Sequence, residues 1–283
     1  MKAWTKPAMR AAKADFVIGF PPILIDGAPA TTDDLTYLAL VNYGAYTSFL
    51  VEQGAVRGLD VHLARLEASA LELFGETPGE ARLRDLMRLA VEGQDRCWLR
   101  VSLFSPDIWA RSPSVPTMPR VMTMAAQPHP PLATSVRLAV QTYSREAAHL
   151  KHTAIFGLIR ARRQARDDGF DDALFVDADG LISEGSLWNI GFLIGDTVVW
   201  PQAPMLEGAA QTLIERGLSA VGLTSTTELV RITDLACFDA AFLCNSATPA
   251  CAVTAIGDHV FPSHPDRIAA IAAAWSANAP QTI

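Results

Sequence analysis

Runs of apolar residues, bounded by polar turn residues, predict β-strands through the first half of the chain. The run YGAYTSFLV is rich in aromatic and β-branched residues and precedes a Gln-Gly turn, which predicts a hairpin of Tyr43 to Val51 and Ala55 to Leu59. Two further strands are predicted at Cys97 to Phe104 and Pro119 to Ala126, separated by a loop rich in proline and serine. Phe16 to Ile25 is predicted as an additional strand that two prolines interrupt.

A helical period appears between the hairpin and the later strands. Apolar residues recur at three- and four-residue spacing from Val61 to Gly75, and a second helix is predicted from Pro78 to Glu92. The apolar face of the first helix consists of Leu63, Leu66, Ala70 and Leu73. Arg65 lies off that face, so the pattern places its side chain on the exposed side of the helix.

The second half of the chain combines an amphipathic helix with short strands. Ser135 to Tyr143 alternates as a strand, and a helix that ends at Gly169 follows it. One face of this helix carries Ile155, Leu158, Ile159 and Ala165, opposite Arg160, Arg162, Arg163 and Arg166. Further strands are predicted at Ala173 to Val176, Leu181 to Ser183, Asn189 to Leu193, Thr197 to Trp200 and Ala241 to Cys244. A helix is predicted after Gly208, and a loop of small residues at Asn245 to Ala250.

A proline-rich segment divides these two halves. Three prolines within Gln127 to Leu132 predict an extended, stiff connector. We therefore predict a smaller N-terminal α/β domain at 1–127, a linker at 128–132 and a larger C-terminal domain at 133–283. A chain of 283 residues is long for one hydrophobic core, which agrees with a two-domain α/β (α+β) fold.

Composition and charge narrow the range of partners. The chain has 23 Lys and Arg against 30 Asp and Glu, a net charge of −7, which argues against nucleic acid or an anionic membrane as the main partner. It has no run of 18 apolar residues, so no membrane span is expected. The four cysteines form no C-x-x-C pair and have no histidine at zinc-ligand spacing, which predicts buried thiols, a cytoplasmic location and no metal site.

Lysine usage singles out one residue. The only lysines are Lys2, Lys6, Lys13 and Lys151, and every other cation is an arginine. A buried lysine amine can lose its proton and act as a nucleophile, whereas a guanidinium group stays charged. Lys151 is therefore a candidate for amine chemistry, with an ordinary surface lysine as the alternative.

Three blocks of sequence resemble the class IV aminotransferases, a family of pyridoxal-phosphate enzymes. The family includes branched-chain and D-amino-acid transaminases and aminodeoxychorismate lyase. The blocks are YTSFLVEQGAVRGLDVHLARLEAS, then LKHT…DDALFVDADGLISEGSLWNIGF, and finally MLEGAAQTLI with FLCNSATPACAV. The resemblance implies the two-domain fold type IV, a homodimer, and an active site in the cleft between the domains.

The resemblance also implies how the cofactor is held. Lys151 would condense with the aldehyde of pyridoxal 5′-phosphate and then act as general acid and base, and Glu184 would keep the pyridine nitrogen protonated. Arg65 would bind the phosphate through a fork of donors. The backbone N–H groups of Ala209 and Ala210, at a helix start, would cap the same phosphate.

Other matched residues are expected around the phosphate and the substrate. Ser246 and Ala247 would complete the phosphate or substrate pocket. The substrate itself is expected to meet Tyr46, Ser48, Arg145 and His149, the last two as partners of its carboxylate.

The chain departs from the family pattern at three places. The helix start Leu-Pro-Gly-x-Thr-Arg reads Leu-Glu-Gly-Ala-Ala-Gln, so a threonine hydroxyl is missing and Glu207 lies near the expected phosphate. The first-domain motif Phe-Glu-x-x-Arg reads Tyr-Thr-Ser-Phe-Leu from Tyr46, which does not support a branched-chain type of substrate site. The tyrosine often found after the catalytic lysine is Phe156.

Three functions remain open from the sequence. The first is a pyridoxal-phosphate transaminase that acts on a small amino acid and a 2-oxo acid. The second is a lyase that eliminates pyruvate from an amino-chorismate-like substrate, which the hydroxyls of Thr47 and Ser48 and the Lys151-His152 pair favour. The third is a non-catalytic relative that keeps the fold for binding, and the presence of both Lys151 and Glu184 argues against it.

Overall fold

The structure is a computed structural model that describes residues 21–109, 113–128, 130–131 and 133–283. Residues 16–20 of the first predicted strand lie outside this part of the chain. Within 21–128, the strands are β1 (Ile23–Ile25), β2 (Ala28–Pro29), β3 (Ala45–Glu52), β4 (Ala55–Arg57), β5 (Arg96–Phe104) and β6 (Arg120–Ala126). The α-helices of this segment are α1 (Thr32–Leu40), α2 (Leu59–Phe74) and α3 (Glu80–Ala90), and a short 3-10 helix spans Pro106–Trp109.

The second half contains a larger set of strands. They are β7 (Ser135–Thr142), β8 (Asp172–Val176), β9 (Ile182–Gly185), β10 (Asn189–Ile194), β11 (Thr197–Pro201), β12 (Thr224–Glu228), β13 (Ala240–Asn245), β14 (Thr248–Ile256), β15 (His259–Val260) and β16 (Pro280–Thr282). The α-helices are α4 (Phe156–Asp167), α5 (Ala209–Gly217) and α6 (Pro265–Ser276). Two 3-10 helices span Leu218–Val221 and Ile232–Cys237.

Two sheets organise the described chain. The first has seven strands in the order β16-β4-β3-β5-β6-β1-β2, and the second has nine, ordered β12-β11-β10-β13-β14-β7-β8-β9 with β15 paired to β14. The chain crosses from one sheet to the other between Ala126 and Ser135, the segment that contains the predicted linker. The predicted C-terminal domain, 133–283, nevertheless includes a strand of the first sheet, because β16 pairs with β4.

Each sheet buries one face under helices. In the first sheet, alternate residues of β3 and β5 pack with the apolar face of α2, since side chains of a strand point to opposite faces in turn. In the second sheet, β7 and β8 are parallel neighbours joined by α4, a crossover that places the loop after β7 at the carboxyl end of the sheet. Ligands of α/β sheets bind at that end. In the described residues, no helix is both long and apolar enough to cross a membrane.

The predicted hairpin, the helix after it and the strands on both sides of the linker are confirmed, with three local corrections elsewhere. The predicted apolar face of α4 is wrong at Ile159, which is 59% exposed, because the buried face is centred on Ala161 and Ala165. Arg162, predicted on the outer face, instead forms an ion pair with the buried Asp172. The predicted loop at Asn245 to Ala250 is shorter than expected, since β14 begins at Thr248.

Candidate active site

A cavity of about 480 Å³ opens between the two sheets. This volume falls within the range of small-molecule sites, roughly 300–1,000 Å³. Most of the residues selected from the sequence line it: Tyr46, Ser48, Arg65, Arg145, Lys151, Glu184, Ala209, Ala210, Ser246 and Ala247. Residues that lie far apart in the sequence thus share one concave site built from both halves of the chain.

Lys151 lies in the crossover between β7 and α4 and is fixed to the first sheet. Its carbonyl oxygen accepts a hydrogen bond of 2.9 Å from the backbone N–H of Tyr46, at the start of β3. The next residue, His152, forms an isolated antiparallel bridge with Ala45. The backbone that carries the amine is therefore held by the opposite half of the molecule.

The Lys151 amine is buried among positive charges. Burial, together with the charges of Arg65 and Arg145, lowers its pKa to about 7, while Glu184 partly opposes this shift. Near neutral pH a large share of the amine is therefore unprotonated and carries the lone pair that a nucleophile needs. The Nζ atom also lies 4.9 Å from the centroid of the Tyr46 ring.

Glu184, on β9, presents a buried carboxylate to the same cavity. Its Oε1 atom forms an ion pair with Nε of Arg145 at 3.1 Å, and its Oε2 atom accepts a hydrogen bond of 3.3 Å from the backbone N–H of Leu206. Burial raises the pKa of Glu184, and Arg145 counteracts that rise.

Arg65 turns toward the cavity and not toward solvent. The Nη2 atom donates a hydrogen bond of 2.5 Å to the carbonyl oxygen of Glu207, just before α5. The prediction that Arg65 lies on the exposed side of its helix is wrong, because the chain of the second half covers that side of α2. Burial lowers the pKa of Arg65 to about 10, so the guanidinium remains charged at neutral pH. The Glu207 side chain is exposed, and its charge raises the pKa of Arg65, against the effect of burial.

The start of α5 adds backbone donors beside Arg65. This helix begins at Ala209 without a side-chain cap, and the first N–H groups of an α-helix have no partner within the helix. Gly208 is required before it, since a Cβ atom there would lie 1.9 Å from Oδ1 of Asn189. Asn189 in turn donates a hydrogen bond of 2.7 Å to the carbonyl oxygen of Leu206.

Ser246 and Ala247 form a tight turn between β13 and β14. The Asn245 side chain shapes it, because its Oδ1 accepts hydrogen bonds of 2.9 Å from the N–H groups of Ala247 and Thr248. Both residues of the turn line the cavity, on the same side as the start of α5.

The wall formed by the first sheet follows from strand alternation. Tyr46 and Ser48 face the cavity from β3, whereas Thr47 between them is fully buried. The Thr47 hydroxyl lies 2.6 Å from Nδ1 of His62, so this hydroxyl is engaged in the core and not in the cavity. Burial and the charges of Arg65 and Lys151 hold the pKa of His62 well below its usual value.

Sequence reasoning missed Arg100, which lines the cavity from β5. It stands opposite Ser48 in the strand pairing, and its guanidinium carbon lies 3.7 Å from the centroid of the Tyr46 ring. The signal was present in the sequence, because alternation in CWLRVSLF places Trp98 and Arg100 on the face opposite the core residue Leu99.

Two of the residues predicted to meet substrate have other partners. His149 is not among the residues that line the cavity, and its Nε2 atom lies 2.8 Å from Oε1 of Glu72 at the surface. Arg145 does line the cavity, but its guanidinium contacts Glu184 and two backbone carbonyls. Phe156, at the family's tyrosine position, is 77% exposed.

The residues of the cavity fit pyridoxal phosphate. Arg65, Arg100, Arg145 and Lys151 supply positive charge, and Glu184 is the carboxylate among the described lining residues. The cofactor carries an aldehyde, for which the cavity offers the Lys151 amine. It carries a phosphate, for which the cavity offers Arg65 and the N-terminus of α5, and a ring nitrogen, for which it offers the buried Glu184 carboxylate. The part of the chain that the structure describes contains no group of three His, Cys, Asp or Glu residues that could hold a metal ion.

Known proteins match both the sequence and the fold. The model of the family "Amino-transferase class IV" matches residues 44–256. A relative from Rickettsia bellii (strain RML369-C), described as a probable branched-chain-amino-acid aminotransferase, is 25% identical over 232 residues, which cover 77% of this chain and 79% of that protein.

Two solved structures illustrate the shared fold. The branched-chain aminotransferase from the thermophilic archaeon Thermoproteus uzoniensis, with norvaline, has a TM-score of 0.78 at 20% identity, with 91% of this chain and 94% of that chain covered. A structure from Legionella pneumophila, provisionally described as a 4-amino-4-deoxychorismate lyase, has a TM-score of 0.71 at 19% identity, with 84% and 91% covered.

The family match spans most of the chain and includes both Lys151 and Glu184. It agrees with the resemblance seen in the sequence and with the predicted fold class. Pyridoxal phosphate is the cofactor of these enzymes. The chain is therefore an enzyme that belongs to the pyridoxal-phosphate-dependent class IV aminotransferase family.

Proposed function

We propose that this enzyme transfers an amino group between a small amino acid and a 2-oxo acid. The observation that carries the proposal is the pairing of a buried amine, Lys151, whose pKa is lowered to about 7, with a buried carboxylate, Glu184, in one cavity. Perturbed groups of opposite type in a cleft are typical of catalytic sites.

The roles of the cavity residues follow from their chemistry. When bound, pyridoxal phosphate supplies an electron sink for charge that develops at the substrate Cα atom. Lys151 holds the cofactor and then carries the proton to and from that Cα. Glu184 would hold the protonated ring nitrogen, and Arg65 with the start of α5 would hold the phosphate.

Arg100 is the group that we assign to the substrate carboxylate. Among the described residues it forms no ion pair, and its Nε atom donates a hydrogen bond of 3.2 Å to Ser102. Its remaining donors suit a carboxylate, which arginine binds through two parallel hydrogen bonds. The neighbouring wall is apolar, with Trp98, Met124 and Leu158, so the substrate side chain is expected to be apolar.

The lyase alternative rests on one feature of the wall. Ser48 brings a hydroxyl to the cavity, and a hydroxyl can move a proton during elimination. Thr47, the other hydroxyl considered, binds His62 and does not support this alternative.

A homodimer is part of the proposal. Leu40, Tyr43, Phe156 and Ile159 are exposed by 70%, 41%, 77% and 59%. The two chain segments that carry them meet where Thr153 donates a hydrogen bond of 2.6 Å to the carbonyl oxygen of Asn42. An exposed apolar surface beside a cleft is typical of a subunit interface. Sedimentation of the wild type and of Phe156→Asp tests this, with a dimer expected for the first and a shift to monomer for the second.

A product assay separates the two activities. The purified protein with pyridoxal phosphate is mixed with single amino acids, with and without a 2-oxo acid acceptor, and with an amino-chorismate-like substrate. A transaminase needs the acceptor for repeated turnover and forms a new amino acid. Pyruvate release without any acceptor would instead identify a lyase, and the absence of both products would refute the proposal.

A further inference from the structure

We propose that Arg145 is a positioning residue that joins the Glu184 carboxylate and the loop that carries Lys151 into one unit. This inference rests on the proposed function, because Glu184 and Lys151 are the two groups assigned there to the ring nitrogen and the aldehyde. It replaces the substrate contact predicted for Arg145 from the sequence.

The first half of the unit is the buried ion pair. Nε of Arg145 lies 3.1 Å from Oε1 of Glu184, and the side chains are only 6% and 8% exposed. The second carboxylate oxygen is held by the N–H of Leu206. A buried carboxylate without its cation takes up a proton in preference to remaining charged. Arg145 thus keeps Glu184 both oriented and ionised, as a partner of a protonated ring nitrogen must be.

The second half of the unit is the loop just before the catalytic amine. Nη2 of Arg145 donates hydrogen bonds to the carbonyl oxygens of Ala148 and Leu150, the latter at 3.0 Å. Ala147 adopts a left-handed φ of 43°, a conformation that residues other than glycine rarely adopt without support from their surroundings. One guanidinium therefore fixes the turn that ends at Lys151.

The surroundings explain why another cation does not take this role. Among the described lining residues, the charged and titratable side chains that share the cavity with Glu184 are Tyr46, Arg65, Arg100, Arg145, Lys151 and His152. Arg65 contacts the carbonyl oxygen of Glu207, and Arg100 lies over Tyr46, whereas Arg145 forms the ion pair with Glu184. Nearly complete burial also leaves Arg145 little surface to offer a substrate.

The test compares Arg145→Met with the wild type across pH. Without the cation, the pKa of Glu184 moves further up, so the carboxylate is protonated at a higher pH. We expect the acidic limb of kcat, and of the visible absorbance of the lysine-bound cofactor, to move up by about one pH unit or more. The KM for the amino acid should change little, whereas a residue that binds the substrate carboxylate would raise it.

Two further variants separate the two halves of the unit. Arg145→Lys keeps the charge but not the fork of donors, so its acidic limb should stay near that of the wild type. Amide hydrogen exchange at residues 147–151 of the cofactor-free protein should rise in both Arg145 variants. In a Glu184→Gln background, Arg145→Met should move the acidic limb less than it does with Glu184 present, because only its effect on the pKa of Lys151 remains. This background also covers the case in which the single variant does not fold.

Arg162→Met is the matched control. Arg162 pairs with the buried Asp172 at 3.2 Å on the neighbouring strand, outside the cavity, so its loss should leave the acidic limb and the exchange at 147–151 unchanged. The inference is overturned if Arg145→Met behaves like this control, or if it raises only KM. Failure of the proposed function looks different, since the wild type itself would then form no new amino acid in the product assay, while the pH dependence of the absorbance at Lys151 would still report on Arg145.

Discussion

The two walls of the cavity differ in how closely they keep the family pattern. The wall from the second sheet holds Lys151, Glu184 and Asn189, together with Gly208 just before α5. Glu184 and Asn189 are linked through Leu206, whose N–H donates to the Glu184 carboxylate and whose carbonyl oxygen accepts from Asn189. The wall from the first sheet holds Tyr46 and Arg100, where the family's usual acid and arginine of β3 are absent.

This difference suits a division of roles, in which one wall serves the reaction and the other selects the substrate. The groups of the second wall are the ones that we propose to act on the cofactor, so each is expected to have few acceptable substitutes. The groups of the first wall face the remaining space, where a changed side chain alters the choice of substrate and leaves the chemistry intact. The cavity thus combines a reaction centre that keeps the lysine and the glutamate of the family with a substrate surface that lacks the family's acid and arginine.

Of the changes to the two walls, removal of the Lys151 amine should reduce activity the most. Lys151→Ala deletes both the covalent attachment and the proton carrier, so we expect kcat to fall by roughly 10³-fold or more. Lys13→Ala is the control, because it removes one of the other lysines from the chain. Steady-state assays of both variants check this, and comparable loss in the two would contradict the assignment.

A substitution at Arg100 tests only the wall from the first sheet, which we expect to select the substrate. Arg100→Met should raise the KM for the amino acid by roughly tenfold or more, since a buried carboxylate contact is lost, while cofactor affinity stays the same. Arg96→Met on the same strand, whose side chain pairs with Glu52 at the surface, should change neither quantity. A loss of cofactor affinity in Arg100→Met would show that the two walls are not separate.

A substitution at Gly208 tests the wall from the second sheet without changing any charge. Gly208→Ala places a Cβ atom 1.9 Å from Asn189 Oδ1, so either the Asn189 side chain, with its hydrogen bond to Leu206, or the segment before α5 must shift. Overpacking of this kind costs about 1–3 kcal/mol, and we expect cofactor affinity to fall by roughly tenfold. Titration of the cofactor-free variant measures it. Unchanged affinity would mean that this segment does not hold the phosphate.

The pH dependence of cofactor attachment tests the lowered pKa of Lys151. Only the unprotonated amine has the lone pair for attack, so attachment should be slow below the pKa and level off above it. With a pKa of about 7, the initial rate should rise roughly tenfold between about pH 6 and pH 8. Stopped-flow absorbance gives this profile, and a rise only near pH 10 would indicate a solvated lysine.

Ala210 should give the smallest effect, in the direction of a gain. Ala210→Ser restores a hydroxyl near the family's threonine position at the start of α5, where one further donor can reach the phosphate. We expect cofactor affinity to increase by about two- to fivefold, the value of one modest hydrogen bond. The same titration checks it, and weaker binding would show that the start of α5 has no room for the hydroxyl.

The sequence predicted the second wall better than the first. Lys151 stood out by residue type, and Glu184 and Gly208 by motif, because local patterns record what the chemistry requires. The burial of Arg65 and the ion pair of Arg145 depend on contacts between distant segments, which periodicity along one helix or loop does not report. The C-terminal strand β16 escaped for the same reason, since it joins a sheet formed by the other end of the chain.

The central claim is that the Lys151 amine attaches the cofactor, and the chain offers a direct test because it contains only four lysines. Pyridoxal phosphate is added to the purified protein, the adduct is reduced with borohydride, and the modified peptide is mapped by mass spectrometry. The account predicts one modification, at Lys151. Label found only at Lys2, Lys6 or Lys13, or no label at all, would contradict it.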